Sequence, residues 1–186
     1  MKKTTTPVSN FQYFYPYTVT IIGAQSENQL NYMACAWHSA LSFDPPLFGV
    51  LISKKRRTHK IISEAGEFTA NFIDVKMHKL SAQMGRISGY DTDKIKEFQV
   101  KLSPSRIINS PILKEAYVSF ECRLSDIKVY GDHDLFVGKV LAVHEEENCF
   151  NQEGMLNTSH IFPLLYLGSD YYITVNPDSL KHSVPE

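Results

Sequence analysis

Four consecutive basic residues stand directly before a hydroxyl residue, at the point where a helical pattern begins. Lys54, Lys55, Arg56 and Arg57 follow a short apolar run, and Thr58 comes next. The first N–H groups of a helix lack intrahelical partners, and the helix dipole favours negative charge there. This arrangement predicts a seat for a small anion such as a phosphate group. A solvated basic loop that protects a sheet edge is the alternative that the run alone leaves open.

Two strands and a proline turn must bring the basic run into place. Met33, Cys35 and Trp37 recur with the period of two that is typical of a strand with two different faces. The Pro-Pro pair in residues 44–46 must end that strand, because proline removes a backbone donor and fixes φ. Residues 47–52 form an apolar run of the right length for a buried strand, which ends at the basic residues.

Helix signals follow the basic run. Thr58 is a suitable N-cap, the apolar residues Ile61 and Ile62 recur at helical spacing, and Gly66 stands where a glycine would end a short helix. Capping alone is therefore a second explanation for Thr58. A later helix is predicted to begin after Asp74 and to end at Gly85.

The remaining short apolar runs predict many strands and few helices. Residues 116–124 alternate cleanly, residues 135–143 are apolar on both faces, and residues 162–167 and 171–175 supply the last strands. Such closely spaced strands are typical of a closed or nearly closed β-barrel. The 186 residues predict one domain, 1–186, with residues 1–12 as an N-terminal arm and residues 177–186 as a C-terminal tail.

Composition and missing motifs narrow the chemistry. A net charge of −1 gives no reason to expect nucleic acid as a partner. The chain lacks a G-x-G-x-x-G, a Walker-type loop, a G-x-S-x-G elbow and a compact histidine ligand spacing, so we expect no metal site. The best remaining chemistry is a phosphate-bearing organic cofactor held in a barrel.

The cysteines and the N-terminal residues bear on the compartment. The three cysteines are far apart and form no C-x-x-C pair, which favours neither a disulfide framework nor a zinc site. The N-terminal residues show no apolar core of a signal peptide, and no stretch reaches the length of a membrane span. We therefore expect a cytoplasmic protein that does not bind a membrane.

Five motifs carry a family resemblance across most of the chain. They are Asn31-x5-Trp37-x-Ser39-x-x-Ser42-Phe43-Asp44-Pro45-Pro46, Arg56-x-Thr58, Gly66-Glu67-Phe68-Thr69-x-Asn71, Ser88-Gly89-x-Asp91-x-Asp93-Lys94, and Gly131-Asp132-His133-x-x-Phe136-x-Gly138-x-Val140. In this order and at these spacings the chain resembles the flavin reductase-like family of FMN-binding split barrels, which includes flavoredoxin-type proteins. The resemblance implies a mainly β, split-barrel fold of Greek-key type with a few short helices, and FMN as the bound cofactor.

The resemblance also implies which residues meet the phosphate of FMN. Arg56 and Lys94 would be charge-assisted donors, and Thr58 would add a hydroxyl. Such hydrogen bonds contribute roughly 1.5–3 kcal/mol each. The motif Arg-x-Thr selects Arg56, but the sequence alone leaves Arg57 open as its rival.

Other matched positions would surround the flavin ring. Asn31, Trp37 and Ser39 match family positions that line the flavin, and Phe162 is a further candidate for packing against the ring. For Trp37, a place in the hydrophobic core is the alternative. His133 lies in a polar turn and could simply be exposed, but in the reductases that the chain resembles the matching histidine lies beside flavin and nicotinamide, so His133 is the candidate catalytic residue.

Two functions follow from the resemblance. The first is an oxidoreductase that passes electrons from NAD(P)H through bound FMN to a flavin, a metal or a protein acceptor. The alternative is a flavoredoxin-like FMN electron carrier without NAD(P)H oxidation of its own. A barrel that has lost its flavin is a third reading, against which the intact Arg56, Thr58, Lys94 and His133 argue. We also expect a homodimer, because a strand that is apolar on both faces needs a second covering layer.

Overall fold

Antiparallel β-structure dominates the computed structural model, which describes residues 1–183. The strands within these residues are β1 Tyr17–Thr18, β2 Thr20–Ser26, β3 Gln29–Cys35, β4 His38–Ser42, β5 Leu47–Ser53, β6 Glu67–Phe72, β7 Leu102–Ser103, β8 Ile112–Leu113, β9 Val118–Tyr130, β10 His133–Glu145, β11 Leu165–Gly168 and β12 Tyr171–Ile173. The α-helices there are α1 Arg57–Ala65, α2 His78–Arg86 and α3 Lys94–Glu97, with 3-10 turns at Val75–Met77 and Pro177–Ser179.

A seven-stranded sheet with the order β3-β2-β6-β9-β10-β5-β4 curls into the barrel. Its two end strands, β3 and β4, are consecutive along the chain, and the carbonyl of Trp37 between them accepts a hydrogen bond from the N–H of Leu51 (2.9 Å). The strands β5 and β6 are not neighbours, because the chain crosses between them through α1. With 41% strand and 15% helix, this architecture confirms the mainly β split barrel with a few short helices.

The barrel interior is filled from its strands and from one face of α1. In β5, the alternate side chains Phe48, Val50 and Ile52 are buried, and α1 contributes Ile61 and Ile62 to the same core. The other buried members of this core are Ile22, Ala24, Met33, Cys35, Phe68, Ala70, Cys122 and Phe136. Since α1 is held to the barrel by its buried face, its N-terminal end has a fixed position at the barrel rim.

Several predicted boundaries shift. The run through residues 33–38 is not one strand: β3 ends at Cys35, β4 begins at His38, and Trp37 lies between them and is half-buried. Thr58 is not the N-cap of α1. That place belongs to Arg56, which is extended and makes no side-chain cap, while Thr58 lies buried in the first helical turn. The prediction that a helix ends at Gly85 is also wrong, since α2 continues to Arg86.

Other local predictions are confirmed. Gly66 ends α1 in the left-handed conformation, at φ 67°, which favours glycine. The carboxylate of Asp74 accepts a hydrogen bond from the N–H of Lys76 and so caps the 3-10 turn before α2. The apolar run of residues 135–143 lies within β10.

The chain ends lie beside the barrel. The strands β1, β11 and β12 form a separate three-stranded sheet, which places Tyr17 opposite Tyr166. In the N-terminal arm, residues 1–11 are exposed or nearly so. Of the predicted tail, residues 184–186 lie outside the described part of the chain. Within residues 1–183, no helix combines the length and the apolar character that a membrane crossing needs.

Candidate functional site

A cavity of about 440 Å³ lies at the barrel rim, where the end of β5, the start of α1, the end of α2 and the loop before α3 meet. We call it the cationic cavity. Five of the sequence-predicted residues line it: Asn31, Arg56, Thr58, Lys94 and His133. These residues come from four separate parts of the chain, so the fold itself assembles them.

Lys94 is the buried cation of this cavity. Its side chain is only 3% exposed, and Nζ donates a hydrogen bond to the carbonyl of Met84 (3.0 Å). Burial, together with the positive charges of Arg56 and Arg57, lowers the pKa of Lys94 to about 8. A buried charge without an opposite partner is unfavourable. An anion in the cavity would relieve that cost.

The distribution of carboxylates around the basic run is uneven. Asp134 is buried and pairs with His59 (2.8 Å) and Lys54 (3.5 Å). The hydrogen bond from His59, more than the nearby charge of Lys54, keeps the pKa of Asp134 below its ordinary value. Within residues 1–183, no carboxylate pairs with the three cations Arg56, Arg57 and Lys94. Lys54, at the start of the basic run, therefore has a negatively charged partner, whereas the three cations that line the cavity have none within residues 1–183.

Both arginines line the cavity, and one is held by the end of α2 while the other is held by the loop that follows it. Arg56 donates from Nη1 to the carbonyl of Gly85 (3.3 Å), and Arg57 donates from Nη1 to the carbonyl of Gly89. Arg57 is half-buried and Arg56 is exposed. The structure thus brings both guanidinium groups to the site, and the choice between them remains a prediction to be tested.

Thr58 and Asn31 form a buried polar pair. The amide Nδ2 of Asn31 donates to Oγ1 of Thr58 at 2.7 Å, and both residues are almost fully buried. The amide of Asn31 also lies against Gly89, where an added Cβ would come within 2.3 Å of Oδ1. Only glycine fits at position 89 for this reason. Thr58 is in the first turn of α1, which lines the cavity and whose N–H groups lack partners within the helix.

His133 connects the cavity to an aromatic group. Its ring lies 4.9 Å from the ring of Trp37, measured between centroids, and Trp37 in turn lies 6.3 Å from Phe11 of the N-terminal arm. Asp132 contacts Nδ1 of His133 at 2.8 Å, which leaves Nε2 as the ring nitrogen available to a ligand. Trp37 is half-buried, so it is neither a full core residue nor a fully exposed one.

Three predicted residues do not line the cationic cavity: Trp37, which packs against His133, and two that lie elsewhere. Ser39 is exposed on β4 opposite Gly49, and its hydroxyl donates to the carbonyl of Ala40 (2.9 Å). Phe162 lies beside Asp74, whose carboxylate accepts the N–H of Phe162 (2.9 Å). Neither residue lines the cationic cavity. Their roles with a cofactor stay predictions.

A second cavity of about 340 Å³ shares Arg56 and Gly85 with the cationic cavity. We call it the tyrosine cavity. Its further lining residues include Ala34, Cys35, Ala36, Ser81, Ala82, Arg86, Tyr166, Asp170 and Tyr172. Arg86 and Asp170 form an ion pair of 2.6 Å at this cavity.

Apart from Arg56, the residues that line the tyrosine cavity were not predicted from the sequence as site residues. The hydroxyl of Ser81 is buried without a hydrogen-bond partner, and small residues at 81, 82 and 85 give α2 one face that a bound group can approach closely. This small-residue face is a signal that the sequence did carry. The tyrosines gave no comparable signal, because they lie more than 75 positions away and reach α2 only through the separate sheet.

Comparison with known proteins identifies the class. Residues 12–174 match the model of the flavin reductase-like domain. The chain therefore belongs to the flavin reductase-like family, and the resemblance read from the motifs is confirmed.

Three similar proteins illustrate the relationship. An uncharacterized protein of Pyrococcus abyssi is 37% identical over 143 residues, which is 77% of this chain and 82% of its own. The crystal structure of an FMN-binding protein from Thermus thermophilus with bound 1-cyclohex-2-enone is 33% identical, with a TM-score of 0.86 over 98% of this chain and 99% of its own. A flavoredoxin from Methanosarcina acetivorans is 28% identical, with a TM-score of 0.82 over 100% of this chain and 94% of its own.

Proposed function

We propose that this protein binds FMN and acts as an NAD(P)H-dependent flavin reductase-like oxidoreductase. One observation carries the proposal: Arg56, Arg57 and Lys94 surround a cavity with no carboxylate of residues 1–183 to neutralise them. A phosphate monoester supplies the missing negative charge. The Thermus protein of similar structure is an FMN-binding protein, which makes a flavin phosphate the natural occupant.

The residues present fit FMN in two parts. Arg56, Lys94 and Thr58, with the N-terminal N–H groups of α1, would hold the phosphate. Arg57 would fix the loop at Gly89 or join the phosphate contacts itself. The adjoining tyrosine cavity offers flat aromatic walls and small residues for the ring system, and it is joined to the phosphate seat through Arg56. Bound FMN would supply the redox chemistry, accepting a hydride and passing electrons on.

His133 would act on the substrate side. Because Asp132 takes Nδ1, the free Nε2 can hydrogen-bond a nicotinamide or, when protonated, place positive charge beside a reduced cofactor. Trp37 packs against the same ring and restricts its orientation. The role that we propose for His133 is orientation and charge compensation, with no bond formed to it.

A second candidate is an FMN electron carrier that does not oxidise NAD(P)H. The similarity to a flavoredoxin supports it, since that protein shares the whole length of this chain. Under this alternative, His133 is only a turn residue, and electrons enter from a reduced protein. The electron acceptor of the reductase is a free flavin, a metal or a redox protein in our proposal.

One experiment separates the two candidates. Purified protein is first titrated with FMN by calorimetry, and measurable affinity is expected. The FMN-loaded protein is then titrated under anaerobic conditions with NADH and with NADPH, followed by dithionite. Bleaching of the flavin absorbance by a nicotinamide supports the reductase, while bleaching by dithionite alone supports the carrier. A protein with no FMN affinity would contradict both.

A homodimer is part of the proposal. The side chains of Leu41 and Leu135 both lie over Gly49 on the outer face of β4, β5 and β10. On this apolar face, Leu41 and Val143 are 45% and 55% exposed. An apolar outer face of a barrel is energetically unfavourable in water and favourable against a second copy. We also propose a cytoplasmic location, which is typical of the flavin reductase-like family.

A further inference from the structure

The direction of one buried hydrogen bond has a consequence for ligand binding. We infer that Asn31 is a positioning residue, which fixes Thr58 as a hydrogen-bond donor to an oxyanion in the cationic cavity. The inference rests on the proposed phosphate seat. It adds to that proposal a residue that acts through another and does not have to touch the ligand.

The hydroxyl group of Thr58 keeps its proton available for donation to a ligand. A threonine hydroxyl has one proton to donate and two lone pairs that accept. Asn31 donates from Nδ2 to Oγ1 of Thr58 at 2.7 Å, which uses a lone pair and leaves the proton free. Among residues 1–183, no acceptor receives that proton. Thr58 is fully buried and lines the cavity, so the remaining direction for the proton is toward a ligand.

The orientation of Asn31 is itself constrained. Asn31 is only 3% exposed, and its amide packs against Gly89 so closely that any Cβ there would collide with Oδ1. The guanidinium of Arg57 holds the carbonyl of Gly89. Arg57, Gly89, Asn31 and Thr58 thus form one continuous chain of contacts around the cavity. A hydroxyl held in this way pays no reorientation cost when an anion arrives.

A double-mutant cycle tests the inference. The FMN and riboflavin affinities of the wild type are compared with those of Asn31→Ala, Thr58→Val and the double variant, by calorimetry or flavin fluorescence. Thr58→Val should lower FMN affinity about tenfold or more, since a hydrogen bond to a charged group is lost. Asn31→Ala should lower it about threefold through lost preorganisation. In the Thr58→Val background, Asn31→Ala should cost nothing further. Riboflavin, which lacks the phosphate, should bind all variants alike.

Further variants keep the test decisive if Asn31→Ala fails to fold. Thr58→Ser keeps the hydroxyl and should retain FMN affinity. Asn31→Asp keeps the shape but can accept the hydroxyl proton, so its effect on FMN should be larger in the wild type than in the Thr58→Val background.

Three outcomes would overturn the inference. They are independent losses that multiply in the double variant, equal losses for riboflavin, or an affinity of Thr58→Val equal to that of the wild type. If the wild type binds no FMN at all, the proposed function itself fails. If the wild type binds FMN and one of these three outcomes is found, only the inference about Asn31 fails.

Discussion

At the scale of single residues, the site is defined by cations that lack an opposite charge. Arg56 and Arg57 lie side by side in the chain, yet Arg56 contacts the last turn of α2 and Arg57 contacts the loop after it. Arg56→Ala is expected to weaken FMN by about one to two decades, equivalent to about 1.4–3 kcal/mol. Arg57→Ala serves as the matched comparison. Calorimetry with FMN and riboflavin measures both, and equal losses for the two flavins would show that these arginines support the fold and not the phosphate.

Lys94 should make FMN binding depend on pH. Its pKa of about 8 lies below the value of 10.5 that is usual for lysine, and phosphate binding should raise it again. The protonated form binds the phosphate, so affinity is full below about pH 8 and should fall by up to about tenfold per pH unit above it. Titrations of FMN between pH 7 and pH 9.5 measure the effect. Riboflavin binding should stay flat, and Lys94→Met should remove the slope; a slope that persists in Lys94→Met would assign it to another group.

His133 separates a reductase from a carrier. If its imidazole orients the nicotinamide, His133→Ala should keep FMN bound while slowing reduction by NAD(P)H, because hydride transfer depends on the geometry of the reacting atoms. Stopped-flow absorbance at saturating nicotinamide gives the rate. Dithionite reduction, the control, should be unchanged. An unaltered nicotinamide rate would leave His133 as a turn residue only.

At the scale of elements, two buried carboxylates fix a long loop to the barrel. Glu67 of β6 accepts hydrogen bonds from the N–H groups of Asn109 and Ser110, and Glu121 of β9 accepts them from Arg106 (2.7 Å) and Ile107 (2.8 Å). These carboxylates replace strand partners for a segment that has none. The loop between β7 and β8 is therefore ordered by side chains of the barrel wall.

This contact predicts an acid-sensitive loop. Burial alone would raise the pKa of Glu121, but the N–H donors of the loop and His144 outweigh it and lower the pKa. The ionised form is therefore favoured by folding, and its stabilisation is present above the ordinary glutamate pKa and is lost as pH falls through the lowered value. Glu121→Gln should cost about 2 kcal/mol at pH 7, which corresponds to roughly 4–8 °C in Tm.

Thermal unfolding followed by circular dichroism at pH 7 and pH 4 checks the effect. Glu115→Gln is the matched control, since Glu115 is half-exposed and pairs with Lys101 at the surface. Ion pairs at the surface contribute little to the free energy of unfolding. An equal loss in both variants would contradict a special role of Glu121.

At the scale of the whole molecule, the outer face of the barrel predicts self-association. Leu41→Glu places a charge on the apolar face of β4, β5 and β10 and is expected to shift the protein from dimer to monomer, measured by light scattering at micromolar concentration. Met155→Glu is the control, because Met155 is similarly exposed (47%) but lies in the loop between β10 and β11 and not on β4, β5 or β10. A stable interface buries roughly 800 Å² per partner, so one central charge should disrupt it. A wild-type monomer that still binds FMN would count against the dimer.

Local patterns in the sequence predicted strands of the barrel and the basic residues that line the cationic cavity. Only the family resemblance indicated the distant Lys94, which lines the cationic cavity with Arg56 and Thr58. The apolar run of residues 47–52 and the alternation of residues 116–124 predicted strands where β5 and β9 lie, and the basic run before Thr58 predicted the start of a helix beside the cavity. These signals are local, since strand faces depend on alternation and a helix N-terminus on its first residues. They survive in the structure for that reason.

Contacts between distant parts of the chain set which cations are neutralised and which residues lie beside the cationic cavity. Asp134 forms ion pairs with Lys54 and His59, whereas Lys94 has no carboxylate partner within residues 1–183. This distribution follows from the register between β5 and β10. Tyr166 reaches the site because β11 pairs with β1 in a separate sheet, while Ser39 lies outside it because β3 ends at Cys35. Antiparallel register is set by contacts between distant strands, and a shift of one residue reverses every side chain, so sequence spacing cannot supply it.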